Sequence, residues 1–209
     1  MKVLVVGGAG YIGSHVVKEL LKKNHQVAIF DNLSSGLQKN IPANVDFIQG
    51  DILDPASLEK AFETETYDGA IHLAAFKAAG ESMIKPEKYS TNNISGTINL
   101  LNALSTHQIK NVVFSSSAAV YGSPVKLPID ETHPTNPENY YGYTKLAIEE
   151  LFSWYEKLKV MRFANLRYFN AAGYDVDGEI NGLESNPANL LPVVMEVATG
   201  RREKMQLFG

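Results

Sequence analysis

The chain has 209 residues and a net charge of −4 at pH 7, with 44% hydrophobic and 20% charged residues. A chain of this length forms one large domain, or one domain and part of a second, and the composition is that of a globular protein. The negative charge and the lack of a long Lys/Arg run argue against a nucleic-acid partner. No stretch of the sequence reaches the roughly 18 apolar residues of a membrane span, so we expect no membrane partner.

The usage of cysteine and histidine excludes several kinds of site. The chain contains no cysteine and five histidines. Disulfide bonds and thiolate metal ligands are therefore excluded, and the histidines lack metal-ligand spacing, so we expect no metal site. The sequence starts with an apolar segment rather than a polar or basic leader, so no secretory signal is expected. Together these features predict a cytoplasmic location.

The N-terminal segment predicts a turn that binds phosphate. Residues 1–6 form an apolar run typical of a buried strand, and residues 14–23 carry the apolar stripe of a helix. Between them, Gly7, Gly10 and Gly13 have GxxGxxG spacing. Such glycines allow a tight turn, a close approach of the backbone to a pyrophosphate, and close packing of helix against strand. The helix N-terminus adds free N–H groups and a partial positive charge.

A carboxylate follows the second predicted strand, residues 26–30. Asp31 stands 18 residues after Gly13, where a Rossmann unit places the acid that binds the adenosine ribose hydroxyls. Because a carboxylate there would repel a 2′-phosphate, the sequence favours NAD over NADP. The alternative is that Asp31 only begins a turn with Asn32.

The rest of the sequence alternates between strand and helix patterns. Strands are predicted at residues 45–48, 69–74, 111–115 and 163–168, and helices at 56–62, 85–104 and 143–157. This order predicts an α/β fold with a Rossmann-type, doubly wound parallel sheet. The periodicity fades after residue 170: residues 174–189 are expected to form a loop and residues 190–199 a last helix. We therefore predict one domain over residues 1–170 and the start of a second over 171–209.

A possible catalytic pair follows the fifth predicted strand. Tyr141 and Lys145 are four residues apart at the start of a helix, so their side chains share one face. An ammonium group near the phenol, together with a positive nicotinamide ring, would favour the phenolate and lower the pKa of Tyr141. The phenolate could then take a proton from a sugar hydroxyl. The alternative is an ordinary packed helix edge.

Three serines end the fifth strand, at residues 115–117. A serine at this position could hydrogen-bond a reacting hydroxyl and then the carbonyl that develops from it. The alternative is a run of turn-forming hydroxyls, which would account for two of the three serines in any case.

Taken together, these motifs resemble the extended short-chain dehydrogenase/reductase superfamily, and within it the sugar-nucleotide 4-epimerases. The resemblance covers nearly the whole chain. It is carried by residues 7–15 (GGAGYIGSH), 31–33 (DNL), 50–52 (GDI), 77–82 (KAAGES), 92–93 (NN), 115–122 (SSSAAVYG), the Tyr-x-x-x-Lys pair, and 166–170 (LRYFN). Residues 117–119 are Ser-Ala-Ala where related 4,6-dehydratases would have Thr-Asp-Glu, which argues against dehydration.

The resemblance implies roles for individual residues. Ser117, Tyr141 and Lys145 would be catalytic. NAD contacts would come from Gly7, Gly10, Tyr11, Ile12, Gly13, Asp31, Asn32, Leu33, Ser34, Ser35, Gly36, Asp51, Ile52, Leu73, Ala74, Ala75, Lys77, Asn92, Tyr141, Lys145 and Phe169. The UDP-sugar substrate would contact Lys77, Ser117, Tyr141, Asn170 and Asn189, and residues 171–209 would begin the substrate domain.

The implied reaction interconverts UDP-galactose and UDP-glucose through a transient 4-keto sugar, with NAD tightly bound and regenerated in each turnover. The resemblance also implies a homodimer through the helices at residues 85–104 and 143–157. The family continues well beyond a segment like residues 207–209, so we expect this chain to bind NAD but to have weak epimerase activity or none. Two alternatives remain open: a non-catalytic NAD-binding module, and an NAD-dependent sugar-nucleotide oxidoreductase with net turnover.

Overall fold

The computed structural model describes residues 1–63, 65–159, 161–182, 187 and 190–206. Within these residues, six strands form one parallel sheet in the order β3-β2-β1-β4-β5-β6. The strands are β1 (Lys2–Val6), β2 (Gln26–Asp31), β3 (Asp46–Gln49), β4 (Gly69–His72), β5 (Asn111–Ser117) and β6 (Arg162–Tyr168). The strand order reverses between β1 and β4, which is where such sheets bind ligands. The predicted Rossmann-type α/β fold is confirmed.

Helices connect the strands and cover both faces of the sheet. They are α1 (Tyr11–Lys22), α2 (Pro55–Lys60), α3 (Ala79–Ser82), α4 (Pro86–Tyr89), α5 (Gly96–Thr106), α6 (Tyr140–Lys159) and α7 (Leu190–Ala198). Short 3-10 turns occur at Gln38–Asn40 and Ala118–Val120. None of the helices in the described part of the chain is both long enough and apolar enough to cross a membrane.

The core lies in two layers because successive residues of a strand point to opposite faces of the sheet. Leu4 and Val6 of β1 join a cluster with residues of α5 and α6, whereas Val3 and Val5 pack on the other face with Val17 of α1. All of these side chains are buried. Continuous apolar strands of this kind are typical of parallel sheets covered on both faces.

The helix predicted over residues 85–104 has a different form in the structure. It consists of α4, a π-helical segment at Ser90–Ser95, and α5. The side chain of Asn93 in this segment bonds both the backbone N–H and the backbone C=O of Phe76, at 2.9 and 3.0 Å. π-helical turns are rare and often lie at functional sites. Here the wider turn carries Asn93, whose two hydrogen bonds join this helix to the loop after β4. Hydrophobic periodicity alone does not distinguish a π turn from an α turn.

Two other element boundaries differ from the prediction in a way that concerns the site. Strand β5 continues to Ser117 rather than ending at residue 115, since it pairs with β6 through Tyr168. Helix α6 begins at Tyr140 rather than at residue 143, because Asn139 caps it by accepting a hydrogen bond from the Gly142 N–H at 2.8 Å. The first turn of α6 therefore contains Tyr141.

The described part of the segment after β6 lies against α1. The Tyr11 hydroxyl donates to the Gly173 carbonyl at 2.7 Å. Lys18, which is largely buried, forms ion pairs with Asp175 at 2.6 Å and Asp177 at 2.8 Å. These contacts hold residues 173–177 against α1.

Candidate active site

A cleft opens at the carboxyl ends of β1, β2 and β4. Most of the residues predicted to bind NAD line it: Gly7, Gly10, Tyr11, Ile12, Gly13, Asp31, Asn32, Ser34, Ser35, Ile52, Leu73, Ala74, Ala75, Lys77 and Asn92. The cleft is also lined by Val6, Phe30, Gly50, Phe76 and Ser115, none of which was predicted to contact NAD. Gly50 and Ser115 belong to motifs that the sequence analysis used, and the other three adjoin predicted positions along the chain.

The glycine turn forms the floor of the cleft. Gly7 has a φ of +85°, and its N–H donates to the Phe30 carbonyl at 2.8 Å. A Cβ on Gly7 would lie 2.6 Å from the backbone nitrogen of Ala74, and a Cβ on Gly13 would collide with the Gly7 carbonyl. Helix α1 begins just after Gly10, which has no side chain to cap it, so the N–H groups of the first turn are available to an anion.

Asp31 lies at the rim of the cleft and is largely buried. Its carboxylate accepts hydrogen bonds from the N–H groups of Ala9, at 3.0 Å, and Leu33, at 2.8 Å. Each carboxylate oxygen can accept a further hydrogen bond. Asp31 thus serves the turn, as the alternative interpretation required, and still faces the cleft.

Six of the predicted cofactor residues are not among those that line the cleft: Leu33, Gly36, Asp51, Tyr141, Lys145 and Phe169. Leu33 has a positive φ of 58° and donates its N–H to Asp31. Gly36 packs against Asp31, and Asp51 accepts from the Asn32 amide at 2.9 Å. Phe169 is 61% exposed beside the Tyr121 ring, with 6.4 Å between ring centroids.

The three predicted catalytic residues come together beside this cleft. Ser117 is the last residue of β5, and its hydroxyl lies close enough to the Tyr141 phenol to oppose the rise in the pKa of that phenol. Lys145 lies one turn further along α6, with its Nζ 5.8 Å from the centre of the Tyr141 ring. The Lys145 ammonium donates to the Ser115 carbonyl at 2.7 Å.

The protonation properties of this group reflect its burial. Burial raises the pKa of Tyr141, against the lowering effect of its hydrogen bond with Ser117. Burial also lowers the pKa of Lys145 to about 7, opposed by the negative charge of Glu149. The lowering of the Tyr141 pKa expected from Lys145 together with a positive nicotinamide ring stays a prediction, since the shift in the protein alone comes from burial and Ser117.

The three serines of β5 have separate partners rather than forming a turn. Ser115 presents its carbonyl to Lys145, Ser116 donates to the carboxylate of Glu149, and the hydroxyl of Ser117 accepts from the Ala119 N–H at 3.2 Å. The alternative of turn-forming hydroxyls is wrong for Ser115 and Ser116, which lie within the strand, whereas the Ser117 hydroxyl caps the 3-10 turn at Ala118–Val120.

The predicted substrate contacts are only partly described. Lys77 is exposed and lines the cleft, and Asn170 is exposed just after β6. Asn189 lies outside the described residues. In the described ranges, no group of three or more His, Cys, Asp or Glu side chains is placed to hold a metal ion.

Several largely buried polar residues around the site were assigned no role in the sequence analysis, although two of them, Asn93 and Arg167, lie within its motifs. Glu149 binds Arg167 through two oxygens, with its closest contact at 2.6 Å. Asn93 joins the loop after β4 to α6 through Thr144, at 3.3 Å. The hydrophobic periodicity of the sequence marks such residues only as polar positions on a helix or strand. It does not reveal the residues with which they form hydrogen bonds.

Comparison with known proteins agrees with this geometry. The family model described as "NAD dependent epimerase/dehydratase family" matches residues 3–209. The UDP-glucose 4-epimerase of Halalkalibacterium halodurans is 46% identical over 209 residues, which are 100% of this chain and 62% of that protein. The UDP-glucose 4-epimerase of Mus musculus is 42% identical over 231 residues, with 100% of this chain and 65% of that protein covered.

Solved structures give the same result. The crystal structure of UDP-glucose 4-epimerase from Brucella ovis in complex with NAD matches with a TM-score of 0.96 at 43% identity, covering 100% of this chain and 64% of that one. The enzyme from Bifidobacterium longum in complex with NAD+ and UDP matches with a TM-score of 0.93 at 37% identity, covering 100% and 65%. The chain thus spans somewhat less than two thirds of the length of these relatives. Because the family model covers nearly the whole sequence, the chain belongs to the NAD dependent epimerase/dehydratase family.

Proposed function

We propose that this chain carries the cofactor site and the catalytic residues of an NAD-dependent UDP-glucose 4-epimerase. The observation that carries the proposal is the meeting of Ser117, Tyr141 and Lys145 beside a glycine-floored cleft. A non-catalytic NAD-binding module would need the cleft alone. The relatives named above support the reaction class, and the chain spans 62% of the first of them.

The residues that line the cleft fit a dinucleotide. The turn around Gly7 and Gly13 has no room for a Cβ, and the first turn of α1 offers N–H groups to a pyrophosphate. Asp31 has the position and acceptor capacity to bind ribose hydroxyls, which favours NAD over NADP. When bound, NAD supplies the acceptor and later the donor of the hydride from C4 of the sugar.

The protein side chains carry the proton. Tyr141 takes the proton of the 4-hydroxyl as the sugar becomes a 4-keto sugar, and it returns that proton in the reverse step. Ser117, which lies beside Tyr141, holds the reacting hydroxyl and then the carbonyl. Lys145 favours the phenolate when it is protonated. Rotation of the 4-keto sugar before the hydride returns would invert C4.

The substrate class follows from the relatives and from the position of the cleft. Lys77 and Asn170 are proposed contacts of a UDP-sugar, and Asn189 is a third. Residues 171–209 are proposed as the start of a substrate domain after the cofactor domain of residues 1–170. We also propose a cytoplasmic location, supported by the lack of cysteine.

Incubation of the chain with UDP-galactose, without added nicotinamide, tests the function. We expect NAD to bind in a titration, and conversion to UDP-glucose to be slow, since a partly built substrate site can cost about 10²-fold in rate through poor positioning. Failure to bind NAD would contradict the proposal. Accumulation of NADH with an oxidised sugar would instead indicate a net oxidoreductase, and turnover at the full rate of the relatives would show that our placement of the substrate site is wrong.

A further inference from the structure

Glu149 is a buried acid that the proposed reaction does not use directly. We propose that Glu149, fixed by Arg167 and Ser116, is a positioning residue that holds the Lys145 side chain in its protonated, catalytically useful form. The inference deepens the proposed function, and it rests on that function in assigning Lys145 to catalysis.

The geometry fixes the carboxylate of Glu149 tightly. It lies one helical turn after Lys145 on α6, and only 6% of the residue is exposed. Arg167 of β6 donates from Nη2 at 2.6 Å and from Nε at 3.1 and 3.2 Å, while Ser116 of β5 donates its hydroxyl to the same carboxylate. These contacts to a guanidinium and a hydroxyl hold the Glu149 carboxylate in one place on the buried side of α6.

Arg167 also restrains Glu149 from capturing the lysine. A direct ion pair with Glu149 would draw Nζ of Lys145 away from the Ser115 carbonyl, which it contacts at 2.7 Å. With three of its hydrogen bonds directed to the guanidinium, the carboxylate instead acts on Lys145 through its electrostatic field. The Arg167 guanidinium is itself held by the Tyr121 ring, 4.8 Å from its centre.

The groups around Lys145 explain why this charge matters. Lys145 faces Tyr141 and Glu149, which lie on the same helix. It also interacts with His72 at the end of β4, and burial lowers the pKa of His72 to about 3. His72 is therefore neutral near pH 7. Burial alone drives Lys145 toward its neutral form, and Glu149 is the charge that opposes this.

NMR of the chain with 13C-labelled lysine tests the inference, because the Lys145 signal, assigned by its loss in Lys145→Met, reports the titration midpoint directly. Glu149→Gln should lower that midpoint by about one pH unit, or tenfold in proton affinity, since it leaves the positive Arg167 without its partner. Arg167→Gln should raise the midpoint, because the negative charge then acts unopposed. Glu156→Gln, which removes an exposed carboxylate two turns further along α6, is the matched control and should leave it unchanged.

The opposite signs of the two shifts separate this role from a purely structural one. General loosening of the site would raise the Lys145 midpoint in both variants, toward the value of a solvated lysine, and that outcome would overturn the inference. An unchanged Lys145 midpoint in Glu149→Gln would also overturn it. If Glu149→Gln does not fold, a lowered or unchanged midpoint in Arg167→Gln is sufficient to reject it. The titration needs no turnover, so failure of the chain to bind NAD would count against the proposed function and would leave the measured effect of Glu149 on Lys145 standing.

Discussion

Asp31 illustrates how one side chain serves both the fold and the candidate site. Its two carboxylate oxygens hold the backbone of the glycine turn, through Ala9, and of the following loop, through Leu33. The remaining acceptor positions face the cleft. A residue with both tasks is difficult to replace, because removing the acid frees two buried N–H groups as well as the ligand contact.

Substitution of Asp31 should therefore change cofactor choice. Asp31→Ala should weaken NAD binding by about 1–3 kcal/mol, the scale for losing hydrogen bonds to a charged group. Binding of NADP should weaken much less, because the repulsion of a 2′-phosphate is removed at the same time. Titration with both dinucleotides measures the difference. Asp31→Asn keeps one acceptor oxygen for the turn and removes the charge, so it helps to separate the local effect from the charge; unchanged discrimination in both variants would contradict the assignment.

The neighbouring tyrosines give a matched pair for the catalytic assignment. Tyr141→Phe removes the proposed proton acceptor and should lower UDP-galactose conversion by roughly 10²-fold or more, with little change in NAD binding. The hydroxyl of Tyr140 instead bonds Ser90, at 2.6 Å. Tyr140→Phe should therefore have a much smaller effect on conversion. A larger loss in Tyr140→Phe would show that the register of the catalytic pair is wrong.

Hydrogen bonds between polar side chains of different helices, strands and loops hold the site together. The π-helical segment contributes Asn93, which bonds the loop after β4 and reaches Thr144 of α6. His72 at the end of β4 bonds Thr97 at the start of α5, at 2.9 Å. These hydrogen bonds join β4 and the loop after it to the helices α5 and α6, and α6 carries Tyr141 and Lys145.

The link through His72 predicts a dependence of stability on pH. Burial lowers the pKa of His72 from 6.5 to about 3, so the unfolded chain takes up a proton below pH 6.5 while the folded protein does not. As the pH falls below 6.5, the free energy of unfolding should decrease by about 1.4 kcal/mol per pH unit, which amounts to about 2 kcal/mol at about pH 5. Urea unfolding at both pH values measures the loss. His72→Gln should abolish most of it, whereas His25→Gln, at a partly exposed position, should retain it.

Helix α6 has a second cap supplied by a distant residue. The buried Ser82 hydroxyl accepts a hydrogen bond from the Tyr141 N–H at 2.9 Å and donates to the Ala79 carbonyl at 2.6 Å. Ser82→Ala should cost about 0.5–2 kcal/mol of unfolding free energy, the range for losing a cap. Denaturant unfolding checks the value. Ser153→Ala, on the exposed part of the same helix, should cost less, and equal losses would show that the contact does not cap α6.

Across the whole molecule, the sequence predicted the features that follow from local pattern. The strand–glycine–helix unit, the position of Asp31 and the pair of Tyr141 and Lys145 were all readable because their spacing is set by one element or one turn. The network of Glu149 and Arg167 was not, because it joins residues from separate strands and a helix. The π-helical turn was also missed, since it depends on contacts of Asn93 with a loop that is distant in sequence.

An exposed apolar stripe on α6 bears on the expected homodimer. Tyr143, Trp154 and Leu158 lie along one stripe of α6 and are 51%, 60% and 70% exposed. A stable interface buries more than about 1,000 Å² and has an apolar centre, which such a stripe could supply together with the helix at residues 86–106. We therefore propose that this face pairs with a second copy of the chain.

Charge on that stripe should break the dimer. Trp154→Glu should weaken self-association at least tenfold, about 1.4 kcal/mol, because a carboxylate would be buried without a partner. Sedimentation at several protein concentrations measures the change. Val176→Glu adds the same charge at a position that is 83% exposed on the segment after β6, so it should leave association unaffected. A monomeric wild-type chain, or equal weakening by both variants, would show that α6 does not carry the interface, while unchanged NAD binding in Trp154→Glu would confirm that the variant folds.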